Sequence, residues 1–253
     1  MHLLSSLFIA FATYSRIPVP AVEWNDENRK YAFCFFPLIG GVIGFLMFLW
    51  FRVCELLSIG PLLKGCGAAA LPLLVTGGIH IDGFMDTCDA LASWQPPEKR
   101  LEILKDSHVG AFAVLGCSLS LLLSAGLFSE YTLREVLPLG ACFVLSRALS
   151  TILSLSLPQA RTRGMLSDFA NAADRNIVRL SSCAYTVLCL VVLIFTLGPC
   201  AAFPIAAGFF TSLYYRRMAV KYFGGVTGDL AGWFLQVTEL ACTAGLLLGG
   251  KIL

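Results

Sequence analysis

Charged residues are scarce in this sequence. Asp, Glu, Lys and Arg make up 13% of its 253 residues, about half of their share in an ordinary soluble domain. The net charge is only +2 at pH 7, and the basic residues lie in short segments along the chain instead of forming one patch. This charge pattern argues against nucleic acid as a partner. Hydrophobic residues make up 57% of the chain, which indicates a membrane protein.

Patterns typical of zinc sites and disulfide frameworks are also missing. The chain has ten cysteines, but no Cys-x-x-Cys pair and no Cys/His spacing suited to zinc. Most of the cysteines lie within apolar runs, where a free cysteine behaves as a small hydrophobic residue. The first residues, Met1 to Tyr14, lack a basic start and a clear cleavage site, so no cleavable signal peptide is expected. Internal repeats are not visible either.

Long apolar runs are what the sequence does contain. About seven of them reach the 17–25 residues that a bilayer-crossing helix needs. We therefore predict an all-α fold, a polytopic membrane helical bundle in which residues 1–253 form a single integral membrane domain. We expect the fifth and sixth spans to form a tight helical hairpin. The predicted spans are Phe33–Phe51, Leu62–Ile79, Val109–Ser129, Val136–Leu157, Leu180–Leu197, Pro199–Tyr215 and Ala231–Gly250.

The basic residues are distributed unevenly between the two sides of this bundle. If the N-terminal segment 1–32 is cytoplasmic or interfacial, thirteen of the eighteen basic residues fall on the cytoplasmic side. Basic residues prefer that side of a membrane. The segments 80–108, 158–179 and 216–230 are therefore predicted to be cytoplasmic loops, and 80–108 holds the most distinctive polar residues.

The string Thr76–Asp89 combines one histidine with three aspartates. Asp82, Asp86 and Asp89 are spaced by four and three residues, which places them on one face of a helix. Like charges on one face repel, and Mg²⁺ prefers carboxylate oxygens. We predict that two or three of them bind Mg²⁺, which would neutralise a diphosphate and activate its phosphorus. A solvated amphipathic helix is the alternative, and His80 is either a phosphate ligand, a base or a structural residue.

Further polar groups are predicted on the same side. Gly224–Asp229 is a turn whose backbone N–H groups suit an anion, and Asp229 either adds a metal ligand or caps the next helix. Arg161 and Arg163 suit phosphate, although the topology alone also accounts for a basic loop there.

Two charged residues, Arg147 and Glu239, fall inside predicted spans. Charge within a membrane is costly, so such residues are usually paired or functional. We expect these two side chains to form an ion pair.

Several of these strings occur in an order that is typical of one family. They are Arg16-Ile17-Pro18-Val19-Pro20, GGIHIDGFMDTCDAL at 77–91, KDSHVGAF at 105–112, and GGVTGD at 224–229 with TEL at 238–240. From Arg16 to Glu239 the chain resembles the cobalamin synthase family, the adenosylcobinamide-GDP ribazoletransferases. One departure is His108, which stands where the family often has Arg.

The resemblance implies a Mg²⁺-dependent transferase of the prokaryotic inner membrane. It would join adenosylcobinamide-GDP to α-ribazole, or to α-ribazole 5′-phosphate, and release GMP. The product would be adenosylcobalamin or its 5′-phosphate. The implied catalytic residues are His80, Asp82, Asp86 and Asp89, and the implied metal ligands are Asp82, Asp86, Asp89 and Asp229. The implied substrate-binding residues are Arg16, Asp106, Arg161, Arg163, Gly225, Thr227 and Gly228.

Two other functions fit the pattern less well. A CDP-alcohol phosphotransferase also uses an aspartate cluster, but no Ala-Arg follows Asp82-Gly83 at the spacing of that family. A cation transporter would place its acidic residues near the middle of the membrane, whereas these aspartates are predicted at a membrane face. An oligomeric state is not readable from the sequence.

Overall fold

The prediction of an all-α fold is confirmed. The computed structural model describes residues 2–252, which contain helices and no β-strand. The helices are α1 (His2–Tyr14), α2 (Asp26–Arg29), α3 (Ala32–Leu56), α4 (Pro61–Thr76), α5 (Ile79–Ala92), α6 (Pro97–Ile103), α7 (Ala111–Glu130), α8 (Val136–Ser156), α9 (Met165–Ala172), α10 (Arg175–Leu197), α11 (Ala202–Phe223) and α12 (Gly228–Ile252), with 3₁₀ turns at Leu133–Glu135 and Gly198–Ala201.

Five helical stretches of the described chain are long and apolar enough to cross a membrane, and α4 with α5 would add a sixth as a bent pair. The predicted count of seven is therefore not confirmed. The count is lower than predicted because Arg175–Phe223 is one helical stretch of 49 residues. This single stretch holds both the fifth and the sixth predicted spans. Large hydrophobic side chains such as Phe195 and Phe210 point outward from it, as expected for a surface that faces lipid.

The predicted tight hairpin of the fifth and sixth spans is not formed. Instead, α10 packs on α8, and α11 packs on α12. Gly249 explains part of this arrangement, because a Cβ atom there would lie 2.9 Å from the carbonyl oxygen of Cys200 in the 3₁₀ turn. The close contact holds the turn before α11 against the end of α12.

Glycines also allow a close crossing in the bundle core, between α3 and α8. A Cβ atom at Gly44 would lie 2.7 Å from the Cα atom of Gly140. Small residues allow helix backbones to approach in this way, and Ile39, Ile43 and Leu139 are fully buried beside the crossing.

The expected ion pair between Arg147 and Glu239 is confirmed. Nη1 of Arg147 lies 2.6 Å from Oε1 of Glu239, and the two side chains are 1% and 12% exposed. The same arginine atom donates to the carbonyl oxygen of Phe143 at 2.8 Å, and the hydroxyl of Ser146 donates to Glu239 at 3.0 Å. The pair joins α8 to α12 inside the bundle.

Candidate active site

The region 80–108, predicted as a loop, is mostly helical and contains α5 and α6. Gly77 and Gly78 connect α4 to α5 and have φ values of +66° and +82°, which glycine adopts without strain. The two helices meet at 98°. As a result, α5 runs across one end of the bundle instead of continuing the direction of α4.

Glycine contacts hold α5 against the N-terminal half of α12. A Cβ atom at Gly83 would lie 2.7 Å from the Cα atom of Asp229, and one at Gly232 would lie 2.7 Å from the carbonyl oxygen of His80. Neither position leaves room for a larger residue. This close crossing brings Asp229 next to the aspartates of α5.

The carboxylates at this crossing repel one another. Burial raises the pKa of Asp86 to about 6, and repulsion from Asp82 and then Asp229 adds to this effect. Asp89 contributes the smallest repulsion. Three carboxylates from two helices therefore form a region of negative potential that a cation would stabilise.

Asp89 has a different environment from the other acidic residues. One of its carboxylate oxygens accepts a hydrogen bond from the backbone N–H of Gly110 at 2.7 Å, and the other accepts one from Ala113 at 2.8 Å. Both donors belong to the start of α7, so Asp89 caps that helix from outside. A Cβ atom at Gly110 would lie 2.6 Å from the carboxylate. Its predicted role as a metal ligand remains a prediction.

The predicted turn 224–229 supports the start of α12. Gly225 has a φ of +158°, and a Cβ atom there would collide with the carbonyl oxygen of Pro158. The N–H of Val226 donates to that same oxygen at 2.8 Å, which ties the turn to the segment before Arg161. The hydroxyl of Thr227 accepts from the N–H of Leu230 at 3.2 Å and so caps α12.

Arg161 reaches the acidic residues from this neighbouring segment. Its Nη1 lies 3.5 Å from Oδ2 of Asp229, and its Nη2 donates to the carbonyl oxygen of Leu101 at 2.8 Å. Its buried Nε has no hydrogen-bond partner in the described structure. Arg161 therefore has one donor that no group in the described structure satisfies.

A cavity of about 300 Å³ lies where these elements meet. We call it the arginine cavity. Its wall includes the predicted site residues His80, Asp82, Arg161, Arg163, Thr227, Gly228 and Asp229. Basic and acidic side chains face the same space, as a metal–phosphate site requires.

A second cavity of about 570 Å³ lies beside it. We call it the Arg16 cavity, and its wall includes Arg16, Gly77, Gly78 and Met85. Ile79 and Asp82 line both cavities, so the first turn of α5 forms their common wall.

His80 occupies an aromatic pocket at the start of α5. Its ring stacks on Tyr14 with centroids 6.4 Å apart and meets the edge of Phe36 at 5.7 Å. Burial, followed by the positive charge of Arg147, lowers the pKa of His80 well below its usual value. The buried Nε2 has no partner among the described residues. A neutral imidazole nitrogen without a partner can accept a proton from a hydroxyl group.

Comparison with known proteins agrees with these features. The sequence model of the cobalamin-5-phosphate synthase family matches residues 6–247. The chain belongs to this family. An adenosylcobinamide-GDP ribazoletransferase from Lachnoclostridium phytofermentans is 40% identical over 95% of this chain and 92% of the relative. Proteins of the same name from Clostridium perfringens strain 13 and Desulfitobacterium hafniense are each 33% identical; they match over 95% of this chain and over 96% and 95% of their own lengths. No solved structure matches the chain.

Two of the predicted substrate-binding residues, Asp106 and Gly225, line neither cavity. Asp106 is exposed and accepts from the backbone N–H of His108 at 3.0 Å, and the two side chains meet at 2.7 Å. The hydrogen bonds from His108 lower the pKa of Asp106. Gly225 is buried and supports the turn. Tyr14 also lines the arginine cavity, but it was not predicted from the sequence because it lies in an apolar run without any polar signal.

The acidic residues offer carboxylate oxygens, which suit Mg²⁺ as ligands. Among residues 2–252, no three His, Cys, Asp or Glu side chains form a ready-made metal cage. Mg²⁺ does not need such a cage, because it is commonly held by one or two carboxylates together with water and substrate phosphates. The mutual repulsion of Asp82, Asp86 and Asp229 matches a site that is completed when phosphate and cation bind together.

Proposed function

We propose that this protein joins adenosylcobinamide-GDP to α-ribazole, or to α-ribazole 5′-phosphate, and releases GMP. Membership of the cobalamin-5-phosphate synthase family and similarity to proteins named adenosylcobinamide-GDP ribazoletransferase support the reaction. The structural observation that carries the proposal is the arginine cavity. Its wall includes both basic residues, Arg161 and Arg163, and acidic residues, Asp82 and Asp229, which is the chemistry needed to hold a diphosphate and its metal.

The reaction is a substitution at phosphorus. A ribose hydroxyl of the acceptor attacks the phosphorus that is bonded to cobinamide, and the bond from that phosphorus to the oxygen of GMP breaks. The hydroxyl loses its proton, and GMP leaves with the electron pair. When the acceptor carries a 5′-phosphate its 5′ oxygen is already used, so another ribose hydroxyl is the nucleophile. The product contains a new phosphodiester.

Charge builds up on the phosphoryl oxygens and on GMP during this step, and the enzyme must stabilise it. Bound Mg²⁺, held by Asp82, Asp86 and Asp229, would supply positive charge to the phosphates. The guanidinium groups of Arg161 and Arg163 would bind phosphate oxygens. His80 would accept the proton of the attacking hydroxyl.

We further propose that the protein lies in the inner membrane with the site facing the cytoplasm. The apolar helices support the membrane location, and the excess of basic residues on the side of the site supports the orientation. Both substrates are polar, so a site at the membrane face gives them access from water.

Release of GMP tests the proposal. Protein in lipid bilayers, supplied with adenosylcobinamide-GDP, α-ribazole and Mg²⁺, is expected to release GMP, and folded protein that releases none would disprove the reaction. Asp82→Asn and Asp86→Asn are each expected to lower turnover at least about 100-fold, as is usual when charge stabilisation of a transition state is lost. Asp26→Asn is the matched control, because this exposed aspartate forms an ion pair with Arg29 of the same helix α2 and lines neither cavity. His80→Ala with unchanged turnover would remove His80 as the base.

A further inference from the structure

The Arg16 cavity has the size of a small-molecule site but no role in the reaction described so far. Its volume of about 570 Å³ lies within the range of roughly 300–1,000 Å³ that is usual for such sites. It is too small for a corrinoid in addition to a nucleotide. A ligand the size of one nucleotide fits it.

Arg16 gives this cavity a positive group that the protein itself does not neutralise. In the part of the chain that the structure describes, no carboxylate lies within 4.0 Å of its guanidinium nitrogens. The side chain is nevertheless held in position. Its stem packs against Gly77, where a Cβ atom would collide with it, and its backbone N–H donates to the carbonyl oxygen of Val75 at 2.7 Å.

The rest of the wall combines apolar and hydroxyl-bearing residues, with the carboxylate of Asp82 at the boundary to the arginine cavity. Ala12, Ile81 and Met85 supply an apolar surface, and the hydroxyl-bearing residues Thr13 and Ser15 lie near Arg16. An aromatic base, a sugar and a phosphate monoester would each meet a suitable part of this wall. The two substrates differ in this respect, because only the acceptor is a single nucleotide with an apolar benzimidazole base.

The position of the cavity relative to the phosphate site also suits an acceptor. In phosphoryl transfer the attacking and leaving oxygens lie roughly in line on opposite sides of the phosphorus. The arginine cavity and the Arg16 cavity meet at Asp82 and Ile79. A diphosphate in the first cavity would therefore be approached from the second.

We propose that the Arg16 cavity is the acceptor subsite, and that Arg16 binds the 5′-phosphate of a benzimidazole nucleotide. This proposal rests on the proposed function. It assigns the GMP side of the donor to the arginine cavity. It also predicts that Arg16 discriminates between acceptors with and without the phosphate.

The test compares both acceptors in steady-state assays of GMP release by the full chain in bilayers. Arg16→Met keeps an unbranched stem against Gly77 and removes the charge. We expect it to raise KM for α-ribazole 5′-phosphate about 10- to 100-fold, as for loss of a hydrogen bond to a charged group. KM for α-ribazole and for adenosylcobinamide-GDP should change less than about threefold on the same reasoning. Arg16→Lys should lower KM for α-ribazole 5′-phosphate part of the way back, because lysine restores the positive charge but not the planar guanidinium group.

Arg163→Met is the matched control in the arginine cavity. It should raise KM for adenosylcobinamide-GDP and leave the ratio of the two acceptors unchanged. An equal rise in KM for both acceptors in Arg16→Met would overturn the assignment, and so would a rise in KM for adenosylcobinamide-GDP alone. If the unchanged protein releases no GMP with either acceptor, the proposed function fails instead. The two failures are therefore distinguishable.

Discussion

The aspartates of α5 look alike in sequence but have different surroundings. Asp82 lines both cavities, whereas Asp89 accepts two backbone hydrogen bonds from the start of α7. Their positions on one helix do not reveal this difference, because the donors to Asp89 lie 21 and 24 residues further along the chain. One carboxylate is available for a ligand, and the other already has structural partners.

Substitution of these two residues should separate the two roles. Asp89→Ala removes a charged helix cap, which typically costs about 1–2 kcal/mol, so the melting temperature in detergent should fall. Asp82→Ala removes like-charge repulsion and should leave the melting temperature unchanged or higher. Thermal unfolding followed by circular dichroism measures both. A larger loss of stability for Asp82→Ala than for Asp89→Ala would contradict the assignment.

Seven of the residues predicted from the sequence line the arginine cavity, whereas the predicted Asp86 and Asp89 line neither cavity. The roles of all of them remain predictions. The sequence did not predict Tyr14, whose contribution depends on the packing of α1 against His80. Nor did it predict that Asp106 pairs with His108 away from both cavities. Residue chemistry is local, but access to a cavity is set by contacts that are distant in sequence.

At the scale of helices, the crossing of α5 and α12 decides where the acidic residues meet. Gly83 lies against the backbone of Asp229, so the distance between the helices depends on the absence of a side chain. The helix boundaries of most spans were predictable from apolar runs. The helix against which α11 packs was not predictable in this way. Helix α11 packs on α12 instead of forming a hairpin with α10, because the choice of partner depends on the contact of Gly249 with Cys200.

Gly83→Ala tests the importance of this crossing. The added methyl group would lie 2.7 Å from the Cα atom of Asp229, and relief of such overpacking typically costs about 1–3 kcal/mol. We expect GMP release to fall at least about tenfold, since small displacements of catalytic groups have large effects on rate. Gly126→Ala in α7 is the control, because a Cβ atom there meets nothing within 4 Å. Equal activity of the two variants would show that the crossing tolerates a side chain.

The ion pair between α8 and α12 links the site to the bundle interior. Removal of one member of a buried pair leaves an unpaired charge and commonly costs about 3–5 kcal/mol. Arg147→Met and Glu239→Gln should therefore each lower the melting temperature strongly. The double variant should be more stable than Arg147→Met, because neither member of the pair is left as an unpaired buried charge. A double variant that is less stable than both single variants would show that the pair itself is not the source of the stability.

At the scale of the whole molecule, the polar site lies at one end of an apolar bundle, and the basic residues favour that end. The structure fixes which segments share an end, while the orientation in the membrane depends on charge. The two ends differ in a way that a labelling reagent can detect. Ser58 lies in the connection between α3 and α4, and Ser107 lies in the connection before α7, on the side of the site. Both serines are exposed.

Cysteine labelling in intact cells should therefore distinguish the two ends. A membrane-impermeant maleimide applied from outside is expected to label Ser58→Cys and to leave Ser107→Cys unlabelled until the cells are permeabilised. The exposed native cysteines Cys66 and Cys183 would first be replaced by alanine to remove background. Labelling of Ser107→Cys alone would place the site outside the cytoplasm. The site would then be separated from Mg²⁺ and nucleotides in the cytoplasm. The excess of basic residues at that end of the bundle would need another explanation.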